Sequence, residues 1–209
     1  MRWRMLTKEM RIKIIETKSY GSIKYETEID EKHLIWHCEK CGLYFMRNQR
    51  YFSAKHHGEF CKVCNIFRGD KKKCEIDFIR KIQEIKDSFS NVLFVAQVSH
   101  DGLRAKKERF IKNPKELIID IEVYIKSGED YILILGIEIN ENKHKSYMSN
   151  QDNLKSNYMR KKKFLIDKQV AFVEISYTDD GKNPPTTPYR IEELEDLIRI
   201  KLKDYNIMA

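Results

Sequence analysis

Two groups of residues in this 209-residue chain have the types and spacing to do chemistry. The first is four cysteines in two CxxC pairs, Cys38/Cys41 and Cys61/Cys64, with nineteen residues between the pairs. Each pair can wrap backbone amides around its sulfurs, and Gly42 supplies the flexible residue after the second cysteine. Four thiolates at about 2.3 Å make a closed tetrahedral structural zinc site with no open coordination position, so no catalysis is assigned to it. His37, His56 and His57 lie nearby, but four cysteines already complete a ligand set. Cys74 stands alone and reads as a small packed residue.

The second group lies within Leu117 to His144. Asp120 and Glu122 interrupt one apolar run, Glu138 interrupts the next, and His144 follows Glu138 by six residues. Burying a carboxylate costs several kcal/mol unless something compensates it, and a divalent cation is one compensator. Asp120 and Glu122 are two apart on a predicted strand, so the pleat predicts that they share a face. Glu75, near the start of a predicted helix, is able to join them, although an acid in a first turn also serves the helix dipole. Acids crowded at one point raise each other's pKa, and Mg²⁺ or Mn²⁺ removes that conflict. Such a cluster suits phosphodiester hydrolysis. The plainer alternative places Asp120 and Glu122 on the wet face of an edge strand.

The elements that must position these groups follow from periodicity. A short helix is expected from Leu6 to Ile15, and a strand from Ser22 to Ile29. Trp36, Tyr44, Phe45, Tyr51 and Phe52 supply small strands and a mini-core for a zinc ribbon over 33–69. Ile76, Ile79, Ile82 and Ile85 mark a helix over 73–88. Strands follow at 91–98, 117–125 and 131–139, the last apolar on both faces and therefore central in the sheet. A basic helix over 153–167, a strand over 170–175 and an amphipathic helix over 191–205 complete the chain. The expected divisions are an N-terminal helix/strand extension (1–32), the ribbon (33–69), an α/β (α+β) domain (70–180) and a C-terminal helix packed on it (181–209).

Bulk properties narrow the partners. The chain carries a net charge of +8, and its basic residues cluster at 71–73, 104–109 and 160–163. That balance favours a polyanion, with DNA preferred to RNA. Candidate phosphate contacts are Arg50, Lys55, Arg104, Lys106, Lys107, Arg109, Arg160 and Lys162. No run approaches the roughly 20 apolar residues of a membrane span, and the first residues carry charges throughout, unlike a signal peptide. With no secretory signal, paired cysteines point to metal in a reducing compartment, so the expected location is intracellular: cytoplasmic, nuclear or viral.

Several stretches together resemble the PD-(D/E)XK nuclease superfamily, and more closely its branch of very short patch repair and phage or intron-borne homing endonucleases. Cys74-Glu75 through Ile79 resembles the Glu-bearing helix start, and Phe94 to Val98 with Gln97 the first strand. Asn113 to Ile125 resembles the Asp-bearing strand. Ile137-Glu138-Ile139-Asn140 with His144 resembles the pattern IE-x-D-G-x-x-H. Tyr158 to Ile175 resembles the following helix and strand, with Lys161 or Arg160 as its basic residue. A zinc ribbon ahead of such a domain is a familiar pairing in phage-type members.

This resemblance, spanning roughly residues 33–176, implies a restriction-endonuclease-like mixed sheet of order αβββαβ. It implies a Mg²⁺- or Mn²⁺-dependent DNA endonuclease, with Asp120 and Glu138 as metal acids aided by Glu122 and Glu75. Asn140 or the Ile139 carbonyl would complete the metal's ligands, His144 would serve as acid/base, and Lys161 and Arg160 would meet the scissile phosphate. Asn140 stands where the pattern usually has Asp, and Glu141 where it has Gly. The usual lysine two residues after the second acid is missing, leaving Lys143, Lys145, Lys161 and His144 as candidates for its role. Asp120 fits the first acid by strand position and Glu122 by its following residues, so both remain open. The alternative function is a non-catalytic zinc-ribbon nucleic-acid-binding protein with a degenerate nuclease fold.

Overall fold

The computed structural model describes residues 6–30, 33–48, 61, 63–64, 73–100, 102–105, 116–128, 130–141, 152–177, 189–190 and 193–204. The chain is α+β. Its elements in order are α1 (Lys8–Lys18), β1 (Ile23–Asp30), β2 (His33–Cys38), β3 (Tyr44–Asn48), α2 (Lys73–Ile85) with a 3₁₀ turn (Lys86–Ser88), and β4 (Val92–Val98). Then come β5 (Ile119–Ser127), β6 (Asp130–Glu141), α3 (Asp152–Asp167), β7 (Ala171–Tyr177), β8 (Tyr189–Arg190) and α4 (Leu194–Asp204). These match the predicted elements closely. Among the described residues, no helix is long and apolar enough to cross a membrane.

All eight strands join one mixed sheet in chain order. β1–β2–β3 and β4–β5–β6 are antiparallel meanders, while β3 pairs with β4, β6 with β7, and β7 with β8 in parallel. Parallel neighbours need a crossover, and α2 and α3 lie between the parallel pairs β3/β4 and β6/β7. The division expected near residue 70 is therefore bridged by the sheet: Tyr44 and Phe45 on one side pair with Val95 and Ala96 on the other.

The main apolar cluster gathers Ile15 of α1, Phe78, Ile79, Ile82 and Ile85 of α2, and Leu194, Leu197, Ile198 and Leu202 of α4. It meets Phe94 and Ala96 of β4, Ile121, Val123 and Ile125 of β5, and Ile137 of β6. A separate cluster holds Leu93, Val95 and Tyr124, which alternate with those residues and so face the opposite way. α3 packs there too, through Leu165 against Leu117, Ile119 and Val170. Gly136 lets it approach: a Cβ on Gly136 would lie 2.2 Å from Leu165 Cδ1. Helices thus cover both faces, and β6 is buried on both, as its apolar run predicts.

Candidate metal centres

Cys38 ends β2, and the chain turns through Cys41 and Gly42 into β3. Gly42 takes φ +67°, a region open to glycine at no steric cost, and its N–H donates to the Cys38 carbonyl at 2.8 Å. In the second pair the Cys64 N–H donates to Cys61 Sγ at 3.4 Å. The four sulfurs all lie within 4.8 Å of one another. Cys38 and Cys64 sulfurs are 3.6 Å apart, and those of Cys41 and Cys61 3.7 Å. A tetrahedron with 2.3 Å metal–sulfur bonds has edges of about 3.8 Å, whereas a disulfide needs about 2.05 Å. The donor set therefore fits a soft tetrahedral cation, and the cluster could hold a metal ion such as zinc.

Without a cation these thiols compete for protons. Hydrogen bonds from Cys41 and Cys61 hold Cys38 well below the usual thiol range, while its bond to Cys38 pushes Cys41 up to about 12. Four thiolates side by side need a positive charge among them. Cys38, Cys61 and Val63 belong to the main core, and Gln83 of α2 donates to the Cys41 carbonyl at 2.8 Å.

The acids separate into two environments. The β5–β6 ladder runs out at Ile121 opposite Ile137. One residue further, the Asp120 carboxylate accepts from the Ile139 backbone N–H at 3.0 Å, taking over a ladder donor. Asp120 lines a cleft with Phe78, Ile79, Ala96, Gln97, Ile121 and Ile139. Glu138 holds Lys161 of α3 through both oxygens, at 2.7 and 2.9 Å, with each side chain largely enclosed. Burial and the neighbouring Asp120 charge push the Glu138 carboxyl up to about 8, and Lys161 opposes them.

Glu122 departs from the expected cluster. It is fully buried, accepts from the Tyr124 hydroxyl at 2.5 Å, and pairs with His100 Nε2 at 2.7 Å. The His100 ring lies 4.9 Å from that of Phe164 on α3. The regular pleat that predicts one shared face for Asp120 and Glu122 fails here. Ile119 belongs to the cluster under α3 and Ile121 to the main cluster, so alternation breaks at Asp120. This places Asp120, Glu138 and Lys161 together and leaves Glu122 in a satisfied buried network.

Sequence reading missed two partners. Glu174 sits beside Glu138 in the β6–β7 register, and the Tyr158 hydroxyl bonds to it. Burial, then that bond, raises the Tyr158 pKa, so its hydroxyl stays neutral. An acid inside the apolar run Phe172 to Ile175 is the same signal that marks Asp120, and it could have exposed Glu174. Nothing in the sequence singles out the pairing of His100 with Glu122.

Glu75 lies in α2 and Asn140 in β6, but their side chains, with all of His144, Lys143, Lys145, Arg50, Lys55, Lys106, Lys107 and Arg109, fall outside the described residues. Arg160 is exposed on α3 and Lys162 half-buried. Arg104 pairs with Glu116 at 3.6 Å.

Gln97 is the other unusual residue of this centre. It adopts φ +58° inside β4. Left-handed backbone at a residue other than glycine costs about 1–2 kcal/mol. The β4–β5 register runs unshifted past this point: Ala96 opposes Ile121 and Val98 opposes Ile119, which sets Gln97 opposite Asp120.

No family model matches the chain, and comparisons with curated proteins and with solved structures return no match.

Proposed function

We propose that the chain is a metal-dependent DNA endonuclease of the PD-(D/E)XK type, with a restriction-endonuclease-like core over residues 73–177 and a zinc-binding hairpin that docks on the duplex. The observation that carries this reading is the Asp120–Glu138–Lys161 grouping. A carboxylate is enclosed beside a second acid, and a lysine arrives from the next helix. The order α2-β4-β5-β6-α3-β7 is the order αβββαβ that the resemblance implies.

Asp120 and Glu138 would hold the cation, with Glu75 and Asn140 as candidate additions. Mg²⁺ or Mn²⁺ supplies Lewis-acid stabilisation of the phosphate and a lowered pKa for water. Lys161, three positions past Tyr158 on one helix face, stands in for the lysine missing at Asn140 and moves from Glu138 to the phosphate. His144 serves as general acid or base. Arg160 and Lys162 track the backbone, and the hairpin's phosphate contacts set register. A plasmid-cleavage assay tests this: Mg²⁺ or Mn²⁺ supports cutting, EDTA stops it, and Asp120→Ala and Glu138→Ala each abolish it. Absence of cleavage with every metal, or full activity in both variants, sinks the reading.

The second reading is a non-catalytic zinc-binding nucleic-acid-binding protein. The Lys161 contact favours it, because its ammonium already occupies both Glu138 oxygens with no metal cation. That reading requires DNA binding indifferent to Mg²⁺ and to Glu138→Ala.

A further inference from the structure

Three described residues other than glycine have positive φ: Tyr20, Gln97 and Gln169. Tyr20 and Gln169 follow helices. The Gly21 N–H reaches back to the Glu16 carbonyl at 3.1 Å, and the Val170 N–H to Leu165 at 2.9 Å. Those are ordinary helix-ending bonds that require a left-handed residue. Gln97 has no such setting, because it lies within a strand.

Its effect on β4 is visible in the core. Leu93 and Val95 face one way, Phe94 and Ala96 the other, yet Val98 returns to the side of Leu93 and Val95. The pleat of β4 therefore turns over at Gln97, and Asp120, directly opposite on β5, marks the same turn-over in that strand, with no shift of register between them. Glycine would adopt this backbone without strain. A half-buried glutamine there, lining the Asp120 cleft, carries a carboxamide that the backbone turn itself does not need.

We propose that Gln97 is a positioning residue of the Asp120 centre: its strained left-handed backbone presents a carboxamide to the Asp120 cleft, where it fixes that carboxylate and the water that attacks. This rests on the nuclease reading and deepens it. A carboxamide offers both donor and acceptor, so it can hold a carboxylate and a water together without adding charge. Strain retained at such a site is expected when the geometry serves chemistry.

Gln97→Gly separates the two roles of the residue. It keeps the backbone shape, relieves the strain and removes the carboxamide. Three quantities are read on wild type, Gln97→Gly and Gln97→Ala: melting temperature, Mn²⁺ affinity by electron paramagnetic resonance, and single-turnover plasmid cleavage. The expected result for Gln97→Gly is a melting temperature higher by roughly 2–4 °C, Mn²⁺ affinity weaker by about threefold or more, and cleavage slower by about tenfold or more. Gln97→Ala retains the strain and is expected to lose affinity and cleavage without the gain in melting temperature. Gln97→Gly with wild-type affinity and rate overturns the role of Gln97 and leaves the nuclease reading standing. Wild type that neither binds Mn²⁺ nor cleaves overturns both.

Discussion

Glu138 concentrates the chemistry at the residue scale. Its carboxyl titrates near 8 in the folded chain against the ordinary glutamate value of 4.5, so folding takes up a proton between those values. Stability of the metal-free protein therefore falls as pH rises from about 4.5 to about 8, by an amount on the order of a few kcal/mol, and levels off above. Glu138→Gln should flatten that slope, which denaturant unfolding across the pH range measures. A cation must displace the same proton, so Mn²⁺ affinity should rise toward pH 8, by up to about tenfold per pH unit, and then plateau. A calorimetric titration showing pH-independent affinity would contradict the assignment. Lys161→Ala should leave the fold intact while lowering the cleavage rate by roughly 100-fold, with little change in DNA affinity.

The critical element is α3, because it carries Lys161 to the sheet. Leu165 fills the space above Gly136, and Phe164 lies against His100, which Glu122 and Tyr124 hold. Gly136→Ala places a methyl against an enclosed Leu165, so a cost of about 1–3 kcal/mol is expected. Cleavage should fall further than stability alone explains, as Lys161 shifts. Thermal melts and rates compared at equal folded fraction check this. The helices and strands could be read from the sequence because their periods are clean: Ile79, Ile82 and Ile85 bury one face of α2, and the run Ile134 to Ile137 is buried throughout. The centre was only partly readable. Spacing brought out Asp120 and Glu138, but it assumed a regular pleat. The break of alternation at Gln97 and Asp120 sends Glu122 elsewhere, and no periodicity encodes such a break. Lys161 was one of several candidate lysines, since only tertiary packing decides which lysine on a helix reaches a strand.

Across the whole molecule, the cysteine cluster and the candidate centre are joined by one sheet. The sulfurs share a core with Ile121 and Ile137, and β3 pairs with β4. If the four cysteines hold a metal, stripping it with a strong chelator, or substituting Cys61→Ser, should lower the melting temperature of the entire chain by more than roughly 10 °C in one transition. An early separate transition that left the remainder intact would contradict that coupling. The net charge of +8 sets the second whole-molecule property. DNA affinity should fall by about 10³ or more between 50 and 200 mM salt if six or more phosphates are engaged. The central claim is that Asp120 and Glu138 share a divalent cation, and anomalous scattering from Mn²⁺-soaked crystals tests it most directly. A peak about 2.1 Å from carboxylate oxygens of both residues, with Lys161 drawn away from Glu138, is the predicted result. Crystals with no peak there and Lys161 still bonded to Glu138 would contradict it.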